Sequence, residues 1–187
     1  MFFVLELKRQ VVLKPHQMRP SPLHERKRVL MLQLEKDLKL IKGNEEHGYY
    51  ITVTEVGEIG EGVIQARTGS VAYRVQFKCL VLKPHKGEVV VGEVSQVTKT
   101  GFEVRYGPFE IIFVHQKLMK GFQFKLTDTS AFNSFQDSQG SIILKGSIVR
   151  MRLVAVRWEA QTRNYMGLAT LNGHYLGPIE GPEAEEC

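Results

Sequence analysis

The sequence has too few cysteines for a disulfide framework or a cysteine-based metal site. Only two occur in 187 residues: Cys79 lies inside an apolar run, and Cys187 is the last residue. These positions fit neither a disulfide pattern nor a CxxC pair. Because two free thiols are typical of a reducing compartment, we expect an intracellular protein.

Long apolar runs are also missing. The apolar start, Met1 to Leu5, is interrupted at once by Glu6, Lys8 and Arg9. This stretch is too short for the core of a signal peptide or for a membrane span. We therefore expect a soluble protein that does not associate with membranes.

Motifs that mark catalysis are absent as well. The chain contains no GxxxxGK[ST] phosphate loop, no HExxH pair and no GxSxG elbow. Glu45-Glu46-His47 could suggest a metal site, but consecutive residues in a turn point in different directions, which favours a solvated turn. We expect no catalytic residues, no metal and no cofactor. A missing motif is weak evidence, so an enzyme whose acids or nucleophile converge in one cleft stays open.

The bulk composition is that of a folded, basic protein. Hydrophobic residues make up 43% and charged residues 24%, which argues against disorder over most of the length. The formal net charge of +5 favours a polyanionic or acidic partner. A chain of this length fits two small domains.

The first half predicts an antiparallel sheet covered by one long helix. Residues 2–13 have the composition of a strand that ends at Lys14-Pro15. Ser21-Pro22 can start a helix whose leucines recur at helical spacing, and Gly43 can end it. Glycine-bearing turns separate the next three predicted strands, which are Tyr49 to Val56, Gly62 to Arg67 and Val71 to Leu82.

The second half predicts a small all-β barrel. Lys83 to Gly87 breaks the strand pattern and marks a domain boundary. Five strands follow, as in an OB-fold barrel: Glu88 to Val97, Phe102 to Tyr106, Glu110 to Val114, Ser147 to Arg157 and Tyr165 to Thr170. The stretch Thr127 to Gly140 is polar and helix-poor, and the acidic tail is expected to be disordered. The predicted domains are 1–82 and 83–179, followed by the tail 180–187.

Glycines and apolar residues of the second half resemble the S1-type OB-fold domain. The resemblance lies in Gly87 to Val97, Gly101 to Val104, Gly107-Pro108 and Phe113-Val114-His115. Glycine permits the bends and close strand crossings that let a short sheet close on itself. Alone, this motif is found in RNA-binding proteins of translation, RNA decay and transcription.

Five features in order along the chain resemble the RNA polymerase II seventh-subunit family, which has a counterpart in the archaeal RNA polymerase. Besides the long helix, they are Met1-Phe2-Phe3, Pro15, Leu82 to Val90, and Tyr175 to Ile179. The resemblance covers residues 1–179. It implies an α+β chain, in which a ribonucleoprotein-like antiparallel sheet with one long helix precedes an all-β OB-fold barrel.

The resemblance also implies partners and a place of action. A member of this family is a nuclear, non-catalytic subunit that pairs with the fourth subunit and docks on the polymerase core, which includes the largest subunit. This stalk supports transcription initiation and binds nascent single-stranded RNA. The predicted docking loops contain Pro15, His16, Met18, Arg19, Pro20, Gly57, Ile59 and Gly60. We expect the methionine and isoleucine to be exposed for apolar contacts, although an ordinary mobile loop is the alternative.

OB barrels bind single strands by stacking bases on aromatic residues while cations contact phosphates. The best RNA-binding S1 domains have aromatic residues where this chain has Thr100 and Glu103, and alternation directs Phe102 to the interior. His115 could contact a base or phosphate, or simply bond to the backbone. We expect weak, sequence-tolerant, salt-sensitive RNA binding. The candidate residues are Lys99, Arg105, Phe113, His115, Arg150, Arg152 and Arg157.

Two further functional interpretations remain at this point. One is an RNA-binding accessory protein of translation or RNA decay that uses the same barrel. The other is the equivalent subunit of another nuclear polymerase, although the ending Tyr175 to Ile179 favours polymerase II.

Overall fold

The structure is a computed structural model, and it describes residues 1–18, 23–126, 133–138 and 140–180. It divides into two compact units, Met1–Lys83 and Pro84–Cys187. Several positions singled out above lie outside the described residues: Arg19 and Pro20, the helix start Ser21-Pro22, residues 127–132 and 139, and the tail beyond 180. No helix among the described residues has both the length and the apolar character needed to cross a membrane.

The first unit is a four-stranded antiparallel sheet with one long helix on one face. The sheet order is β1-β4-β3-β2. A short 3-10 turn, Pro15–Gln17, follows β1. The elements are β1 (Phe2–Leu13), α1 (Leu23–Ile41), β2 (Gly43–Asn44), β3 (Gly48–Gln65) and β4 (Ser70–Leu82).

The core of this unit lies between α1 and one face of the sheet. Leu30, Leu34 and Leu38 recur at helical spacing and are buried. They pack with alternate residues of the sheet, for example Val75 and Phe77 of β4. This packing confirms the predicted helix-backed sheet.

Helix α1 ends one residue earlier than the glycine signal predicts. The left-handed backbone occurs at Lys42, whose φ is 61° and whose N–H donates to Leu38 O at 3.1 Å. Gly43 instead begins β2, where it pairs with Tyr49. A side chain at Gly43 would collide with the Gly48 backbone, so close strand approach explains this glycine.

The predicted glycine turn between Val56 and Gly62 is wrong. Both flanking segments belong to the single strand β3, which pairs with β4 throughout. The register shifts on either side of Ile59, so the extra residues form bulges instead of a turn. The prediction that residues 57–60 form a loop is therefore corrected.

The second unit contains a closed five-stranded barrel of OB type. Its strands run in the order β5-β6-β7-β12-β11, and β11 also pairs with β5. Only the β7–β12 pair is parallel. Strand β13 pairs with the first residues of β11, ahead of the residues that pair with β12. The barrel strands are β5 (Val89–Thr98), β6 (Gly101–Tyr106), β7 (Phe109–His115), β11 (Ile148–Glu159) and β12 (Asn164–Thr170), with β13 at Gly177–Glu180.

A small three-stranded sheet precedes β11 and was not predicted. It consists of β8 (Gln123–Leu126), β9 (Asn133–Gln136) and β10 (Ile142–Ile143). Phe135 of β9 is fully buried, and its ring centroid lies 6.2 Å from that of Phe102. This aromatic pair packs the small sheet against the barrel.

Candidate nucleic-acid interface and hairpin tip

Strands β6 and β7 place one acidic and one aromatic side chain next to each other on the outside of the barrel. Phe102, Val104, Ile112 and Val114 are fully buried. Because side chains alternate along a strand, the residues between them point outward. Glu103 and Phe113 are direct partners across the β6–β7 pair. The predicted interior position of Phe102 is therefore confirmed.

Phe113 lies above a glycine, which gives its ring a fixed position. A Cβ built on Gly101 would stand 2.9 Å from Phe113 Cζ and would collide with the Val114 carbonyl oxygen. Only glycine fits there, and its missing side chain leaves room for the ring. His115 meets the Phe113 ring edge-on, with centroids 6.1 Å apart and planes at 72°.

The backbone bond of His115 determines its tautomer. The Lys117 N–H donates to Nδ1 at 3.1 Å, so the histidine caps the short 3-10 turn Gln116–Leu118. With Nδ1 as acceptor, the neutral ring carries its proton on Nε2. His115 is therefore bonded to the backbone, which was one of its two expected roles. Its Nε2–H can still donate a hydrogen bond.

Neither of the other two expected stacking positions is aromatic. Thr100 is exposed in the β5–β6 turn, with its hydroxyl 3.2 Å from that of Thr98. Glu103 is half-buried beside Phe113, and its main-chain carbonyl accepts from Ser95 Oγ at 3.2 Å. The outer face thus offers one phenylalanine as a stacking surface between β6 and β7.

The predicted cations are dispersed over the barrel instead of forming one patch. Lys99 is exposed in the turn that precedes Gly101, the residue over which the Phe113 ring lies. Arg150 and Arg152 lie on one face of β11, roughly 7 Å apart along the strand. Arg152 pairs with Thr170 of β12, whose neighbour Ala169 pairs with Val114. Arg152 therefore lies level with His115 across the sheet. Two strand spacings, roughly 10 Å, separate the two backbones.

Arg105 and Arg157 lie level with each other on the outer two of four neighbouring strands, β6, β7, β12 and β11. Arg157 pairs with Met166, and Met166 pairs with Ile111. Three strand spacings, roughly 14 Å, separate Arg157 from Arg105 on β6. Arg105 is also the cross-strand partner of Glu93 on β5. These two arginines consequently flank an apolar strip.

The predicted docking residues are divided between two places. Pro15 and His16 are exposed in the 3-10 turn after β1, as expected. Met18 and Ile59, however, are only partly exposed, because both pack against the core under α1. Gly57 and Gly60 lie in the β3 bulges beside β4, with Gly60 facing Arg74. Met18 and Ile59 were expected to be exposed, but both are half-buried.

The hairpin tip instead consists of residues 14–18 and 63–69. A Cβ on Gly69 would stand 3.5 Å from Pro15 Cγ, so the turn between β3 and β4 lies against the turn after β1. Val63 and Ile64 precede this turn and are 66% and 71% exposed. This pair was not predicted as a contact surface. The sequence signal that could have found these residues is two apolar residues placed just before the turn Ala66 to Gly69.

The segment Glu45-Glu46-His47, for which a solvated turn was favoured over a metal site, contains a hydrogen-bonded histidine. The His47 N–H donates to Asn44 Oδ1 at 2.6 Å, and His47 Nδ1 lies 3.0 Å from the Tyr50 hydroxyl. Nε2 is 3.9 Å from a Glu46 oxygen. Within the described residues, no three histidine, cysteine, aspartate or glutamate side chains gather to hold a metal ion.

Comparison with known proteins identifies related chains. Residues 83–157 match the S1 RNA binding domain family. The chain is 30% identical over 185 residues to DNA-directed RNA polymerase II subunit 7 of Arabidopsis thaliana. The alignment covers 98% of this chain and 99% of that protein. This chain belongs to the RNA polymerase subunit 7 family.

Other members of the subunit 7 family are equally similar. DNA-directed RNA polymerase II subunit RPB7 of Saccharomyces cerevisiae is 30% identical over 183 residues, covering 96% of this chain and all of the yeast protein. DNA-directed RNA polymerase IV subunit 7 of Arabidopsis thaliana is 34% identical over 152 residues, covering 81% and 86%. The family resemblance and the fold class expected from the sequence are thus confirmed.

Proposed function

We propose that this chain is a non-catalytic subunit of RNA polymerase II in the nucleus. It pairs with the fourth subunit to form a stalk on the polymerase core, supports transcription initiation and holds nascent single-stranded RNA. Near full-length similarity to subunit 7 proteins supports the polymerase assignment. The RNA role rests chiefly on one observation, the outward Phe113 ring seated on Gly101.

The barrel has the properties needed to bind a single strand weakly. Base stacking on an aromatic ring is tolerant of sequence because every base has a flat face. Lys99, two residues before Gly101, and Arg152, two strands away from His115, are exposed cations that can contact phosphates. With Phe113 as the stacking surface and dispersed cations, the affinity is modest and falls as salt increases.

The hairpin tip supports the docking part of the proposal. Val63 and Ile64 form an exposed apolar pair at the end of a long β-hairpin. As neighbours in β3 they point to opposite faces of the sheet, so the end of the hairpin exposes apolar surface on both sides. Exposed apolar residues of this kind are typical of protein interfaces. Pro15 and His16 lie beside them and belong to the same contact surface, while Met18 and Ile59 support it from the core.

The RNA role is tested by fluorescence anisotropy with a single-stranded RNA of about 12 nucleotides. Phe113→Ala should weaken binding about tenfold, because one stacked base is lost, whereas Phe113→Tyr should retain it. Binding should also fall between about 50 and 200 mM salt. Equal affinity of the wild type and Phe113→Ala, or stronger binding to duplex RNA, would contradict the RNA role.

A second candidate is the same subunit in a paralogous nuclear polymerase. The identities to polymerase IV and V subunits, 34% and 32%, match or exceed those to polymerase II subunits. Native co-purification separates the two candidates, since the largest subunit recovered identifies the polymerase.

A further inference from the structure

Glu103 occupies a position from which it can contact a base stacked on Phe113. The two residues are direct partners across an antiparallel pair, which places their Cβ atoms roughly 5 Å apart on one face. The Phe113 ring leans along β6 towards Gly101. A base lying on that ring therefore has the Glu103 carboxylate at one edge.

The carboxylate has unused acceptor capacity in the described part of the chain. Its main-chain oxygen is bonded to Ser95, but its side chain makes no hydrogen bond or ion pair there. The nearest cation on the same strand face, Arg105, is opposite Glu93. An ionised carboxylate accepts hydrogen bonds and donates none.

The four bases differ in what they offer to such an acceptor. Guanine presents two neighbouring donors, N1–H and the N2 amino group, which match the two oxygens of a carboxylate. Adenine and cytosine each present one amino group, whereas uracil flanks its single N–H with two carbonyl oxygens that repel the carboxylate. Charge-assisted bonds with two contacts are stronger and more specific than single neutral ones.

We propose that Glu103 selects the base stacked on Phe113, favouring guanine and disfavouring uracil. This inference rests on the RNA-binding function proposed above and replaces the expectation of sequence-tolerant binding at this one position. Phe113 supplies the stacking surface, and Glu103 determines which base occupies it. At the position of Glu103, S1 domains with strong RNA binding have an aromatic residue that stacks a second base. In this chain, the carboxylate at that position discriminates among bases instead.

The test measures anisotropy with the full chain and four single-stranded RNAs of about 12 nucleotides, namely alternating UG, UA and UC and all U. Wild-type protein should bind the UG repeat about tenfold more tightly than the all-U strand, with UA and UC between them. Glu103→Gln should reduce this ratio to about twofold or less, because its amide no longer offers two acceptors. Glu110→Gln is the matched control, since Glu110 is an exposed acid at the start of β7.

The affinity ratio separates base selection from general charge effects. Either substitution removes one negative charge and should strengthen binding to the all-U strand, but only Glu103→Gln should reduce the preference for the UG repeat over that strand. Equal wild-type binding to all four RNAs, a ratio kept in Glu103→Gln or a ratio lost in Glu110→Gln would overturn base selection and leave the RNA function standing. Absence of binding to every RNA would overturn both.

Discussion

At the residue scale, the sequence predicts which side of a strand a residue faces but not what lies beneath it. Alternation around Phe102 and Val104 correctly assigns both to the interior. It does not reveal that Phe113 rests on Gly101, because that contact joins two strands and depends on their register. The same register brings Glu103 beside Phe113. The base-selecting role of Glu103 could therefore be inferred only from the structure.

Tyr106 of β6 makes the free energy of unfolding depend on pH in the alkaline range. Burial of the phenol, with a smaller contribution from the Glu88 carboxylate, raises the pKa of Tyr106 above its ordinary value. In the unfolded chain, tyrosine ionises near pH 10, while folded Tyr106 still holds its proton. The free energy of unfolding therefore falls as pH rises from about 10 towards the folded pKa.

Tyr106→Phe should remove this part of the alkaline loss. Denaturant unfolding at about pH 8 and about pH 11 measures it, with the loss smaller in the variant than in the wild type. Tyr175→Phe is the control because Tyr175 is 90% exposed. An identical loss in the wild type and both variants would contradict the role of Tyr106.

At the element scale, strong periodicity predicts elements well, and glycine predicts their ends poorly. The leucine spacing of α1 correctly identifies the helix and its buried face. Gly43, Gly57 and Gly60 were assigned to a helix end and a turn, but they serve close strand contacts and bulges. Glycine allows several conformations, and tertiary pairing decides among them. The strands β8 to β10 and β13 are too short for a distinct pattern.

The packing of α1 gives a matched test on one element. Leu34 is fully buried, whereas Leu40 on the same helix is 81% exposed. Leu34→Ala should lower the free energy of unfolding by about 2–5 kcal/mol, because it loses buried area and leaves a cavity. Leu40→Ala should change it by about 0.5 kcal/mol or less. Urea unfolding followed by helical circular dichroism reports on this helix, and equal effects of the two variants would disprove the packing described.

At the scale of the whole molecule, the family assignment could be made from the sequence, but the exposed apolar residues of the hairpin tip could not be identified from it. The order of five matches along the chain identifies the subunit 7 family, which the relatives confirm. The docking prediction named the loop after β1, which lies at the hairpin tip, and the segment from Gly57 to Gly60, which does not. Val63 and Ile64 lie in residues that had been assigned to an ordinary strand. Exposure of Val63 and Ile64 depends on tertiary packing, which local sequence does not encode.

The hairpin tip leads to a prediction for the assembled polymerase. Val63→Glu combined with Ile64→Glu should abolish docking on the core, because two charges would be buried at an apolar contact. The fold should survive, since both side chains are largely exposed. Leu32→Glu combined with Leu40→Glu is the matched control, with two exposed leucines changed on α1.

Native co-purification of the tagged full chain, followed by mass spectrometry, decides whether this protein is a polymerase II subunit that docks through its hairpin tip. The wild type and the α1 control should recover the fourth subunit together with the largest subunit of RNA polymerase II. The tip variant should lose the largest subunit. Recovery of ribosomal or exosome proteins without any polymerase subunit would contradict the polymerase assignment.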